Sequence, residues 1–205
     1  MRWDKKVRYG VGYGLFRLLL LASRALSLPL LRWFFSRLGL LAARVAKRDC
    51  QRAREHLQKA FGSNFDCETI LRAHAQHLGC LLGEALWLAH ASAPSILART
   101  RFVGLEHLKE ALTHGKGVIL VTGHCGNWEW MNLALQAAGI PMTAAGRRLR
   151  DPHFDRFITG LRTRFGGEAV ARGEGAGQAL LRALHRGRVV AMYHKRFLPN
   201  YGVFD

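Results

Sequence analysis

The sequence predicts an α/β fold, a mostly parallel sheet flanked by helices and preceded by N-terminal helical segments, and three observations predict it. After Arg101, short apolar runs at 118–121, 142–145, 168–171 and 189–193 alternate with stretches that fit helices of roughly ten to fifteen residues, the rhythm of βαβ units. Before Arg101 the apolar residues recur at helical spacing instead. The chain has 205 residues, 49% of them hydrophobic, which suffices for one compact domain with an appendage and is too apolar for a disordered chain. The expected division is a membrane-associated basic helix over 1–45, a helical segment over 46–100 and an α/β domain over 101–205.

Charge is distributed unevenly. The net +17 divides into +11 over 1–60, −1 over 61–139 and +7 over 140–205. Two basic ends flank a neutral middle, so an anionic partner meeting the protein at two places is expected. Anionic lipid, acidic carrier protein and nucleic acid all carry the right sign. No nucleic-acid recognition motif is present, and much of the charge adjoins a Leu-rich helix, so no nucleic-acid partner is expected. Cys50, Cys67, Cys80 and Cys125 have no metal-ligand spacing and read as reduced thiols of a cytosolic compartment.

The stretch 15–41 is rich in Leu, Phe and Trp but is interrupted by Arg17, Arg24, Arg32 and Arg37. It holds no window of the roughly 18 uncharged apolar residues that a membrane-spanning helix needs. The apolar run 18–22 is short for a secretory signal, and no small-residue cleavage site follows it. At 100° per residue, Arg17 and Arg24 fall within about 20° of each other and Arg32 about 80° further round. Read as one helix, this puts a cationic side beside apolar faces, which suits a helix in the plane of lipid headgroups with arginines reaching phosphates. The alternative is an amphipathic helix packed on its own domain. Arg2, Lys5, Lys6 and Arg8 add a basic cluster suited to the cytoplasmic side.

From 47 to 90 two helices are expected. The first, 50–61, is basic and amphipathic, and Gly62-Ser63-Asn64 ends it. Asp66 caps the second. His74 and His77 are three apart but have no third ligand nearby, so no metal site is expected. Residues 91–95 read as a loop, and Gly173-Glu174-Gly175-Ala176-Gly177, which lacks a phosphate-loop ending, as a loop and helix start.

The chemistry concentrates in Gly123-His124-Cys125-Gly126-Asn127-Trp128-Glu129, which follows the buried-strand run 118–121. Gly123 and Gly126 permit a sharp turn, and Asn127 is a good N-cap that places Glu129 in the first helical turn. A continuous helix would hold His124 and Glu129 about 140° apart, whereas a turn followed by a helix start can bring them together. The helix N-terminus favours an ionised Glu129. Such a carboxylate can orient an imidazole and stabilise its protonated form, leaving His124 to deprotonate a substrate hydroxyl as general base. Cys125 as a thiol nucleophile is a weaker alternative.

The string strand-GHCGNWE-helix resembles the H-x4-D/E motif of the bacterial lipid A late acyltransferases, the lauroyl/myristoyl acyltransferase family. Gly115-Lys116-Gly117-Val118-Ile119-Leu120 is similar to that family's lead-in strand. Gly146-Arg147-Arg148-Leu149-Arg150-Asp151-Pro152 resembles its Y-R-P-x-K-N-P loop, and Leu161-Arg162-Thr163-Arg164-Phe165-Gly166 its R-x-R-x-G helix end. The chain departs from the pattern at Gly146 and Arg148, which replace a tyrosine and a proline, and at His194-Lys195, where the family has Asp-Gln. The family pattern also continues beyond Asp205, so the α/β domain is expected to be incomplete.

The resemblance implies a glycerolipid-acyltransferase-like fold and an acyltransferase with no cofactor. Its donor would be acyl-acyl carrier protein and its acceptor a hydroxyl of a lipid A precursor or related glycolipid. It implies His124 and Glu129 as catalytic residues and Asn127, Arg147, Arg150, Arg162 and Arg164 as substrate-binding ones. Arg162 and Arg164, or backbone amides after Gly123, would face the developing oxyanion. Arg147, Arg148 and Arg150 would face headgroup phosphates. Acyl carrier protein, glycolipid and anionic membrane lipid are then the partners, and the bacterial inner membrane, catalytic domain on the cytoplasmic side, is the location. Another lipid acceptor, or an inactive member of the family, is the alternative.

Overall fold

The computed structural model describes residues 3–123 and 125–193. The chain divides into two compact units, Gly14–His90 and a second formed by Met1–Tyr13 with Ala91–Asp205.

The expected single N-terminal helix is in fact two. Helix α1 (Trp3–Ala22) runs into a 3-10 turn at Ser23–Ala25, and α2 (Leu28–Val45) starts anew with Pro29 in its first turn. Proline lacks the donor a helix interior needs but is well tolerated in a first turn, so it marks a restart. The cationic face counted across this break therefore does not exist as one face. Arg32 turns instead to α4 (Cys67–Leu88), where its Nε and Nη2 each lie 2.7 Å from Oε1 of the buried Glu84.

Leu28, Leu31 and Phe35 of α2 are buried, and α4 meets that face with Ala75, Gly79 and Gly83. The two backbones touch. A Cβ on Gly79 would stand 1.9 Å from the Phe35 carbonyl oxygen, and one on Gly39 2.2 Å from that of Ala75. The opposite face of α2 exposes Leu30, Trp33, Phe34, Leu38 and Leu41. Among the described residues no helix is long and apolar enough to cross a membrane. Helix α3 (Lys47–Phe61) starts three residues before its expected position, and α4 is capped by Asp66, which accepts from the Thr69 amide at 3.2 Å. Hydrogen bonding from Thr69 holds the Asp66 carboxyl below its ordinary pKa.

In the second unit the expected loop at 91–95 gives way to a short helix, α5 (Ala93–Leu97), capped by Ser92 and burying Ile96. Ser followed by Pro within two residues is a helix start as well as a loop signal, and the burial of Ile96 decides for the helix. The strands stand where the sequence predicts them: β1 (Val118–Thr122), β2 (Met142–Gly146), β3 (Glu168–Ala171) and β4 (Val189–Tyr193). All pairings are parallel, in the order β1-β4-β2-β3. Between them run α7 (Trp128–Ala137), α8 (Pro152–Arg162) and α9 (Ala176–His185), while α6 (Leu105–Thr113) precedes β1. Met142, Val189 and Ala191 pack with Leu135 and Ile140, and Leu105, Leu108, Val118, Leu120 and Met131 close the same side.

β1 is not the doubly buried strand its apolar run suggests. It lies at the sheet edge, and Ile119 and Val121 are 54% and 64% exposed while Val118 and Leu120 face the core. An unbroken apolar run cannot reveal whether both faces of a strand are covered.

Part of the basic C-terminal charge is taken up within the fold, Arg188 largely covered and Arg186 in an exposed pair. The Arg188 guanidinium donates to Thr143 Oγ1 at 2.9 Å and to the carbonyls of Met142 (2.7 Å) and Gly166 (3.0 Å), and Arg186 pairs with Glu168 at 2.6 Å. These two arginines staple the sheet. Because every strand is parallel, β1 and β2 release their loops at one edge, separated only by β4. Strand spacing puts those exits roughly 10 Å apart.

Candidate active site

The site begins where β1 ends. Gly126 adopts φ +62°, a conformation that side chains disfavour, and Asn127 then caps α7 by accepting from the Trp130 amide at 3.0 Å. This geometry puts Glu129 in the first turn, as expected, where the helix N-terminus stabilises a negative charge. Trp130 is pinned separately, its indole N–H donating to Thr100 Oγ1 at 2.9 Å. His124, the expected base, lies outside the described residues, as do His194 and Lys195.

Glu129 is only 8% exposed. A buried carboxylate needs partners, and Arg162 at the end of α8 is the main one. Its Nε lies 3.0 Å from both carboxylate oxygens and its Nη2 2.5 Å from Oε1, while the Trp128 indole N–H donates to Oε1 at 3.2 Å. The structure thus brings together two of the expected residues, Glu129 and Arg162, that lie 33 positions apart.

Gly146 gains a physical reason here. A Cβ on it would stand 2.6 Å from Arg162 Nη1, so the guanidinium lies over a backbone with no side chain. The obstructing atom is the end of a flexible arm, but that arm balances the buried Glu129 carboxylate. Gly146→Ala is therefore expected to displace the guanidinium and to lower the thermal midpoint by several degrees. An unchanged midpoint, read by melting, would contradict this.

Sequence reasoning missed two further residues. Asn132 and Gln136, 2% and 4% exposed, both donate to the Arg162 carbonyl, at 3.4 and 2.8 Å. Gln136 Oε1 also accepts from the amides of Phe165 (3.2 Å) and Gly167 (3.0 Å). The available signal was their spacing: Glu129, Asn132 and Gln136 fall at i, i+3 and i+7 in an otherwise apolar helix, one polar stripe pointing inward.

The other expected residues lie around this centre. Arg147 and Arg150 are exposed on the loop after β2, with Arg148 between them, and none of the three forms an ion pair with a described residue. Asp155 accepts from the Leu149 amide at 2.7 Å and Asp151 from that of His153 at 2.9 Å, which shapes this loop at the start of α8. Arg164 stacks over Phe165 at 5.2 Å, and burial pushes its guanidinium below its ordinary pKa. Cys125 is an exposed free thiol. Among the described residues no group of three His, Cys, Asp or Glu is placed to hold a metal ion.

A parallel α/β sheet thus carries a buried carboxylate at a strand-to-helix turn, held by an arginine and followed in the chain by a basic loop. Comparison with known proteins makes the class specific. Residues 3–204 match the sequence profile of the family described as bacterial lipid A biosynthesis acyltransferase, and the chain belongs to that family. It is 30% identical over 169 residues to the lipid A biosynthesis acyltransferase of Haemophilus influenzae, covering 82% of this chain and 52% of that protein. It is also 34% identical over 104 residues to a phosphatidylinositol mannoside acyltransferase of Mycobacterium tuberculosis, covering 49% of this chain and 33% of that protein. The chain thus spans about half or less of the length of these relatives.

Proposed function

We propose that the protein moves a fatty acyl chain from acyl-acyl carrier protein to a hydroxyl of a lipid A precursor or related glycolipid, at the inner membrane and on its cytoplasmic side. The observation that carries this reading is the buried Glu129 carboxylate that ends GHCGNWE, fixed in the first turn of α7. Five residues earlier, His124 takes the proton of the acceptor hydroxyl. The oxygen attacks the thioester carbonyl, the C–S bond breaks, and the proton passes to the carrier's departing thiolate. Glu129 orients the imidazole and stabilises its charged form.

With Nε and Nη2 of Arg162 taken by Glu129, oxyanion donors come from Arg164 or from the turn amides. Arg147, Arg148 and Arg150, exposed and without acidic partners among the described residues, suit the phosphates of the acceptor. The apolar outer face of α2, with Arg37 and Arg44 exposed beside it, suits contact with anionic lipid.

The test is transfer of radiolabelled acyl groups by membranes carrying the protein. His124→Ala and Glu129→Ala are each expected to lower the rate about 10²- to 10⁴-fold; unchanged activity in either would sink the assignment. The similarity to a phosphatidylinositol mannoside acyltransferase favours a second reading with the same chemistry and another glycolipid acceptor. Offering both acceptors in one assay decides between them.

A further inference from the structure

Helix α7 carries more polarity than its packing requires. It lies among buried apolar residues such as Leu133, Ala134 and Leu135, yet one stripe of it is Glu129, Asn132 and Gln136, all buried. All three spend that polarity on Arg162. Glu129 takes the guanidinium, while Asn132 and Gln136 take the main-chain carbonyl. Seven helical residues separate Glu129 from Gln136, roughly 10 Å along the axis. Arg162 is thus gripped at both ends by the same helix, its backbone near one end of the stripe and its charged head at the other.

The two amides do not contribute equally. Asn132 makes one long bond, and its Oδ1 is a buried acceptor without a partner among the described residues. Gln136 uses both ends of its amide, donating to Arg162 and accepting from Phe165 and Gly167. The turn from α8 to β3 is shaped around it. A Cβ on Gly167 would stand 2.6 Å from Gln136 Cδ and Nε2 and 2.5 Å from the Arg162 carbonyl oxygen.

We infer that Gln136 is a positioning residue for the reaction: by tying the 162–167 turn to α7, it sets the register at which the Arg162 guanidinium meets Glu129. It touches neither substrate nor the Glu129 carboxylate, and it acts through Arg162. The inference rests on the proposed reading that Glu129 and Arg162 belong to the acyl-transfer centre. Displacing a catalytic constellation by about 1 Å costs as much as 10²-fold in rate, so loss of this tether should register in turnover.

The experiment is a double-mutant cycle in the full-length protein in membranes, with acyl-acyl carrier protein and a lipid A precursor as substrates. Gln136→Met keeps size and removes all three bonds. It is expected to lower kcat about 10- to 100-fold with the acceptor KM within about twofold. In an Arg162→Lys background, which itself lowers kcat, the same change is expected to add nothing measurable, because the residue whose position it controls is already lost. Gly167→Ala strains the same tether from the turn side, and is expected to reproduce both results if Gln136→Met does not fold.

A wild-type kcat in Gln136→Met, or a loss that multiplies with that of Arg162→Lys, would overturn the inference and leave the acyl-transfer reading standing. A wild-type kcat in Arg162→Lys alone would instead overturn the reading on which the inference rests.

Discussion

Arg162→Met is expected to cost the protein about 3–5 kcal/mol and to lower acyl transfer at least about 10²-fold, through two separable causes. The stability loss comes from Glu129. Its side chain is 11% exposed, and without the guanidinium a carboxylate stays buried with, among the described residues, the Trp128 indole and the helix N-terminus to balance it. A lone buried charge is far costlier than a buried pair. The activity loss comes from disorder in the same carboxylate, which must hold a fixed orientation to steer a base. The double variant Arg162→Met/Glu129→Gln separates the two, since it removes the stranded charge. Its melting temperature should recover most of the difference while transfer stays as low as in the single variant. Recovery of both, or of neither, would mean that the pair does not divide its work in this way.

The second large effect lies in the helical unit. Gly79→Leu is expected to destabilise Gly14–His90 by about 3 kcal/mol or more, at the severe end of overpacking. Its Cβ alone would fall 1.9 Å from the Phe35 carbonyl oxygen and 2.7 Å from the carbonyl carbon. A backbone cannot step aside as a side-chain end can, so α2 and α4 must separate, and the buried Leu31 and Phe35 lose contacts with them. Gly14→Ala is the control. That glycine lies inside α1 with nothing within 4 Å of a Cβ, and the change should stabilise by about 0.5–1 kcal/mol. Helical signal followed through thermal melting reads both variants; a Gly79→Leu midpoint equal to the parent's would refute the close backbone contact.

Local signals carried far in this chain. The strand runs, the Asn127 cap that starts α7 and the Asp66 cap all rest on interactions within a few residues, and each stands where the sequence predicts it. The failures share one physical origin. The sequence predicts one cationic helix where Pro29 starts a second, and gives Arg32 to lipid, because an apolar run interrupted by arginines looks the same whether the arginine meets water, lipid or a carboxylate 52 residues away. The apolar run predicts burial of Ile119 and Val121, which the structure exposes, since a strand's own sequence does not reveal whether a helix covers its second face.

The sequence by itself determined the α/β class, the order of its elements and the place where chemistry gathers, because strand periodicity, glycine turns and N-caps are settled by neighbours in the chain. Only the tertiary structure decided which arginines are free to meet a ligand. It assigned Arg186 and Arg188 to stapling the sheet and Arg162 to Glu129, and left Arg147, Arg148 and Arg150 exposed. The reason is that a charge is committed by whatever folding places within about 3 Å of it, and those partners come from distant parts of the chain.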